Sequence, residues 1–148
     1  MLAPETAAAA TLAGANLYRL DPGRDHHYAA LLMALWRSGT DVTILEQDVV
    51  PPPGWLSAFE ACPAGWCVIE PELRPGVAWF GCVRWRAEWM AEHSTLMADA
   101  QADNSTDGDR LFTWRKVDVR FERTARAAHL APCFHGPRCR HLRAVGGR

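Results

Sequence analysis

Three consecutive prolines, Pro51-Pro52-Pro53, followed by Gly54 constrain this chain more than any other feature. Proline cannot donate to a strand ladder and pushes its predecessor out of the helical region, so no regular element crosses residues 51–54. Upstream, Val42, Thr43, Ile44 and Leu45 make a β-branched, apolar run too short for a helix, which reads as a buried strand over residues 41–46. Before it, Tyr28, Leu31, Leu32, Leu35 and Trp36 recur at helical spacing, with Asp25 as N-cap and Gly39 as stop.

Downstream, the pattern predicts a short helix over residues 55–61, a strand over 66–69 and a third strand over 77–82. A helix with Trp85, Trp89 and Leu96 on one side follows, then a polar loop over 99–109. Thr113 can cap a further helix on which Trp114, Val117, Phe121, Ala125 and Ala128 keep a helical period, and the tail from residue 132 reads as irregular. Alternating helices and strands predict an α/β fold, a small and mainly parallel sheet with flanking helices. At 148 residues the chain is expected to form one domain.

The balance of 16 basic against 17 acidic residues excludes the dense positive surface that a nucleic-acid binder needs, although Arg138, Arg140, Arg143 and Arg148 gather late in the chain. No apolar stretch reaches the roughly 18–20 residues of a membrane span. The Ala-rich residues 7–10 lack the basic start and long apolar run of a signal peptide, so a soluble cytoplasmic protein is expected. The five cysteines, Cys62, Cys67, Cys82, Cys133 and Cys139, are odd in number and uneven in spacing, which favours reduced thiols over a disulfide framework.

Glu46, Gln47 and Asp48 fall where the first strand gives way to the proline turn. Ligands of open α/β sheets bind at the carboxyl ends of strands. Two carboxylates at i and i+2 on such an edge can hold a hard divalent cation, which would neutralise a diphosphate. A solvated strand end with capping acids has the same spacing.

The strand-to-proline segment over residues 41–53, the Cys-Pro-x-x-Trp-Cys pattern from Cys62 to Cys67 and the closing His135-x-Pro137-x-x-x-His141 together resemble bacterial and phage-encoded glycosyltransferase-like proteins related to the GT-A fold. The resemblance covers roughly residues 4–142 and implies a metal-dependent transfer of a sugar from a nucleotide-sugar donor to a hydroxyl acceptor. It puts Glu46 and Asp48, with Gln47 between them, on the family's metal-and-diphosphate motif. It implies Mn²⁺ or Mg²⁺ as cofactor, with His141 completing the metal site and His135 as second choice. By the same resemblance Asp118 is the general base, in a Trp-x-x-x-Asp arrangement with Trp114, and Asp109 is its alternate. Gly81, Cys82 and Arg84 are similar to a segment that lies beside the acceptor. The family's first, nucleotide-binding strand has no counterpart before residue 4, so the expected domain is a truncated one, with an unpaired edge that would favour a homo-oligomer.

Two further readings stay open. Cys133, His135, Cys139 and His141, with Cys62 and Cys67, offer zinc ligands for a non-catalytic binding or structural relative of the same fold. Five of the seven tryptophans, Trp66, Trp79, Trp85, Trp89 and Trp114, are either core residues or a platform for stacking a sugar or base.

Overall fold

The computed structural model describes residues 4–20, 26–102 and 117–142. Their elements in chain order are α1 (Pro4–Leu12), α2 (His26–Trp36), β1 (Val42–Leu45), β2 (Val49–Val50), α3 (Trp55–Ala61), β3 (Trp66–Pro71), β4 (Cys82–Trp85), α4 (Ala87–Glu92), α5 (Leu96–Ala102), α6 (Val117–Ala127) and β5 (Cys133–His141). The five strands form one mixed sheet in the order β1-β4-β3-β5-β2. The chain divides into two compact units, one drawn from Met1–Leu17, Thr43–Arg84 and Pro132–Arg148, the other from Tyr18–Val42 and Trp85–Ala131.

In the first unit, α1 forms because alanine loses least on entering a helix and Pro4 is tolerated at its first position. It stops in a Schellman turn: Gly14, at φ +62°, donates to Thr11 O and Ala15 donates to Ala10 O. Thr6, fully buried on this helix, donates through Oγ1 to the carbonyl of Val49 at 2.8 Å and ties α1 to β2. The core beneath is Val49, Trp55, Phe59, Cys67, Ile69 and Cys139, among others.

Strand β5 organises this unit. Its first part pairs in parallel with β3, Cys67 opposite Cys133, Val68 opposite Phe134 and Ile69 opposite His135, and an irregularity then brings Pro71 opposite Cys139. Its last two residues pair antiparallel with β2, Val49 opposite His141 and Val50 opposite Arg140. Glu70 anchors the irregular stretch, with Oε2 3.3 Å from Arg138 Nε.

The second unit is helical and built round Trp36 at the end of α2. Its ring meets Trp85, Trp89 and Phe121 at centroid distances of 5.4, 5.7 and 5.5 Å, near-perpendicular packing that suits the ring quadrupoles. Leu32, Met90, Met97 and Phe121 are buried here, and Gln101 of α5 donates to the Ala29 carbonyl of α2.

Several expectations are corrected. The sheet is mostly antiparallel rather than mainly parallel. Alternation of helix and strand fixes a parallel direction only where a crossover of a dozen or more residues joins neighbours. Here β2 is an edge strand that runs antiparallel to β5, and β1, joined to it by residues 46–48 alone, lies at the other edge of the sheet. The tail from residue 132 is not irregular but the nine-residue β5, disguised by its Gly136-Pro137 pair and its charges. The third strand begins at Cys82, not at residue 77, because the preceding stretch is held by Trp79, whose indole donates to the Ile69 carbonyl at 2.9 Å. Trp85 therefore belongs to a strand. The helix expected after it is two short ones, and α5 takes residues 99–102 out of the expected loop. Thr113 and Trp114 lie outside the described residues.

The Thr6 contact has a measurable consequence. Replacing Thr6 by Val keeps the shape but removes the donor, and a buried hydrogen bond contributes about 1 kcal/mol. Urea denaturation of Thr6→Val should show a loss of about that size, with Thr6→Ser largely restoring it; an unchanged midpoint would mean that the bond contributes nothing.

Candidate functional site

The Glu46-Gln47-Asp48 segment is the turn between β1 and β2. It is fixed at both ends by backbone bonds: Glu46 N donates to Gly81 O at 2.9 Å, and Val49 N donates to Glu46 O at 3.1 Å. Gln47 is exposed, whereas Glu46 and Asp48 are half-buried. The antiparallel pairing of β2 with β5 continues past Val49, because Leu142 N donates to the Asp48 carbonyl at 2.7 Å. That register delivers His141 to Asp48, from 93 residues away, with Nε2 2.9 Å from Oδ2. A carboxylate oxygen only accepts, so the imidazole donates. The two side chains are 40% and 42% exposed, a solvent-facing pair worth at most about 1 kcal/mol on its own. Stability is a weak reason for this arrangement.

One aromatic wall stands beside the pair. The Trp79 ring lies 5.6 Å from that of His141, edge to face. It also lies so close over Gly81 that a Cβ there would be 2.5 Å from the indole Cζ3. Glycine is required at that position by contact, not by backbone angle. Among the tryptophans weighed as a stacking platform, Trp66 and Trp85 are buried in the core, while Trp79 is only partly covered and borders Asp48 and His141 through the latter.

A second constellation forms at the other end of β5. Cys133 and His135 stand two apart on the strand and so share a face. Cys62, at the end of α3, joins them, and the three ligand atoms lie within 4.8 Å of one another. Cys67 sits in register with Cys133 across the ladder. Arg84 of β4, 5% exposed, donates through Nη2 to the carbonyls of Cys62 and Ala64 at 2.9 and 2.8 Å and to Cys67 Sγ at 3.3 Å.

The titration of this group follows from burial and from that guanidinium. Burial raises Cys62, but the Ala64 backbone, the Cys67 and Cys133 thiols and the Arg84 charge outweigh it and hold the thiol below its ordinary value. Burial pushes Cys67 up to about 12, with the Cys62 thiol adding to it, and burial likewise raises Cys133. His135 is lowered by burial and by the Arg84 charge, so its neutral form is favoured. Its Nε2 is buried and hydrogen-bonds to nothing among the described residues.

The structure thus brings Asp48 and His141 together and places His135, the second choice for that metal, with the thiols instead. Cys139 leaves the six-residue zinc set altogether: it is buried against Cys82, whose thiol is pushed well up by burial and by this neighbour. Asp118 lies in the first turn of α6 in the second unit and accepts at Oδ1 from Val119 N at 2.9 Å. Asp109 lies outside the described residues. Arg84, similar to a residue of the acceptor side in the resemblance, braces the loop between Cys62 and Cys67. Cys62, Cys133 and His135 all belonged to the six-residue zinc set read from the sequence, and the strand-like Cys133-x-His135 spacing is the signal that sets two of them on one face. No helix among the described residues is long and apolar enough to cross a membrane. Comparison with known proteins adds nothing to this geometry: no family model, curated protein or solved structure matches the chain.

The contact over Gly81 can be tested directly. Gly81→Ala must displace the Trp79 ring, and overpacking of this kind costs about 1–3 kcal/mol. The urea midpoint should fall accordingly; a variant as stable as the parent would show that the ring moves freely.

Proposed function

We propose that this chain is a metal-dependent glycosyltransferase of the GT-A type, moving a sugar from a nucleotide-sugar donor to a hydroxyl acceptor. The observation that carries the reading is the 2.9 Å contact between Asp48 and His141, which joins the strand-end carboxylate to a histidine 93 residues later. Glu46, in the same turn, supplies a further carboxylate. Oxygen donors with one imidazole nitrogen, here Nδ1 of His141 or Nε2 once its proton is released, suit Mn²⁺, while Mg²⁺ prefers an all-oxygen shell, so the residues fit Mn²⁺ better. Once bound, the ion would neutralise charge on the diphosphate leaving group.

The protein's own residues would do the rest. The fixed turn holds Asp48 so that little ordering is needed on binding, and the His141 ring is braced by Trp79. Trp79 would offer an aromatic edge to the base or sugar. The general-base role that the resemblance gives to Asp118 or Asp109 belongs to the same proposal.

A ligand that binds only the folded state at a hundred times its Kd stabilises by about 2.7 kcal/mol, or roughly 5–10 °C for a chain of this size. With Mn²⁺ present, one nucleoside diphosphate or nucleotide sugar from a panel should raise Tm by that order. Asp48→Ala and His141→Ala should each abolish the shift while melting near the parent. If no nucleotide shifts the parent protein, the transferase reading is to be abandoned in favour of a non-catalytic relative.

A further inference from the structure

We propose that Cys62, Cys133 and His135, with Cys67 as fourth ligand, bind a zinc-type ion that pins α3 and the following loop to the start of β5. The three ligand atoms already lie within 4.8 Å of one another. A tetrahedral zinc site, with bonds of about 2.3 Å to sulfur and 2.0–2.1 Å to nitrogen, brings its ligand atoms to about 3.5–3.8 Å. Side-chain adjustment of the order of an ångström closes that gap. Cys67 is next in reach, since its backbone is in register with Cys133 and its thiol shares the Arg84 Nη2 donor with the Cys62 carbonyl.

Two features of the group are otherwise hard to account for. His135 Nε2 is buried without a hydrogen-bond partner among the described residues, a state that costs free energy in a folded protein. Coordination of the ring would remove the need for a neutral imidazole to sit there unsatisfied. The second feature is Arg84, whose buried guanidinium has two carbonyls and a sulfur as hydrogen-bond partners. A buried cation is strongly disfavoured without an anion. Three thiolates and a neutral imidazole on a divalent ion make a centre of net charge about −1, which Arg84 would match. Binding releases the three thiol protons to solvent and changes no oxidation state.

This centre uses none of the residues assigned to the nucleotide site, so the two readings stand or fall separately. The test is elemental analysis of the full chain purified under reducing conditions from zinc-supplemented growth, followed by exchange of the metal for Co²⁺. One equivalent of zinc per chain is expected, and the Co²⁺ form should show a sulfur-to-cobalt charge-transfer band with the strong visible absorption of four-coordinate geometry. Cys67→Ser should retain the metal and lose about a third of the charge-transfer intensity, as one of three thiolates is removed. Cys62→Ser and His135→Ala should lose most of the bound metal. Asp48→Ala should keep its zinc while losing the nucleotide shift. Absence of stoichiometric metal in the parent protein, which does not depend on any variant folding, would overturn the proposal. So would a Cys62–Cys133 disulfide formed in a metal-free chain, or undiminished sulfur-to-cobalt intensity in Cys67→Ser.

Discussion

The parallel ladder between β3 and β5 is the constraint on which the first unit depends. Strand β3 is buried along almost its whole length, and its residues Trp66 to Ile69 are among the most covered in the chain. An interior strand must pair its backbone groups on both sides, and β5 supplies one of those sides. With Cys67 opposite Cys133, Val68 and Ile69 place Phe134 and His135, and beyond the irregular stretch Pro71 meets Cys139. Cys133 and His135 face the end of α3, and His141 arrives beside Val49 and hence Asp48.

Because one strand feeds both constellations, their chemistry is divided by position along it. At the start of β5 the surroundings are partly buried and the donors are sulfur and a neutral imidazole, under the charge of Arg84. Where the strand ends, the surroundings are open to solvent and the donors are carboxylate oxygen and an exposed imidazole. Low dielectric penalises a bare charge at the first place and water screens it at the second. A soft, tightly held ion fits the first and an exchangeable, oxygen-loving ion the second. The two histidines, His135 and His141, are six residues apart and yet belong to different chemistries.

Much of the first half of the fold was legible in the chain. The spacing of Leu32 and Trp36 gives α2, the β-branched run gives β1, and α3 starts where the proline run ends. These are local patterns, set by side-chain volume and by the backbone limits of proline. β5 was not legible, because Gly136, Pro137, Arg138 and Arg140 carry no apolar alternation and its strand character comes from partners elsewhere in the chain. Sheet direction was misread for the same reason, since it depends on which strands meet. At the site, Asp48 and His141, which the structure brings within 2.9 Å, were both among the residues singled out, whereas Trp79 was one aromatic among five and the hydrogen bonds of Arg84 to the loop after α3 had no local signal.

The sequence by itself determined the elements whose causes are local: the alanine and proline chemistry of α1, the period of α2, the stop at residues 51–54, and the acidic turn at a strand's end. Only the tertiary structure decided which distant groups share a site. It separated His135 from His141, joined Cys62 to Cys133 and seated Trp79 over Gly81. The physical reason is that strand pairing is specified by backbone groups every residue carries. A partner is therefore chosen by burial and register over the whole unit, and no short window of sequence contains that information.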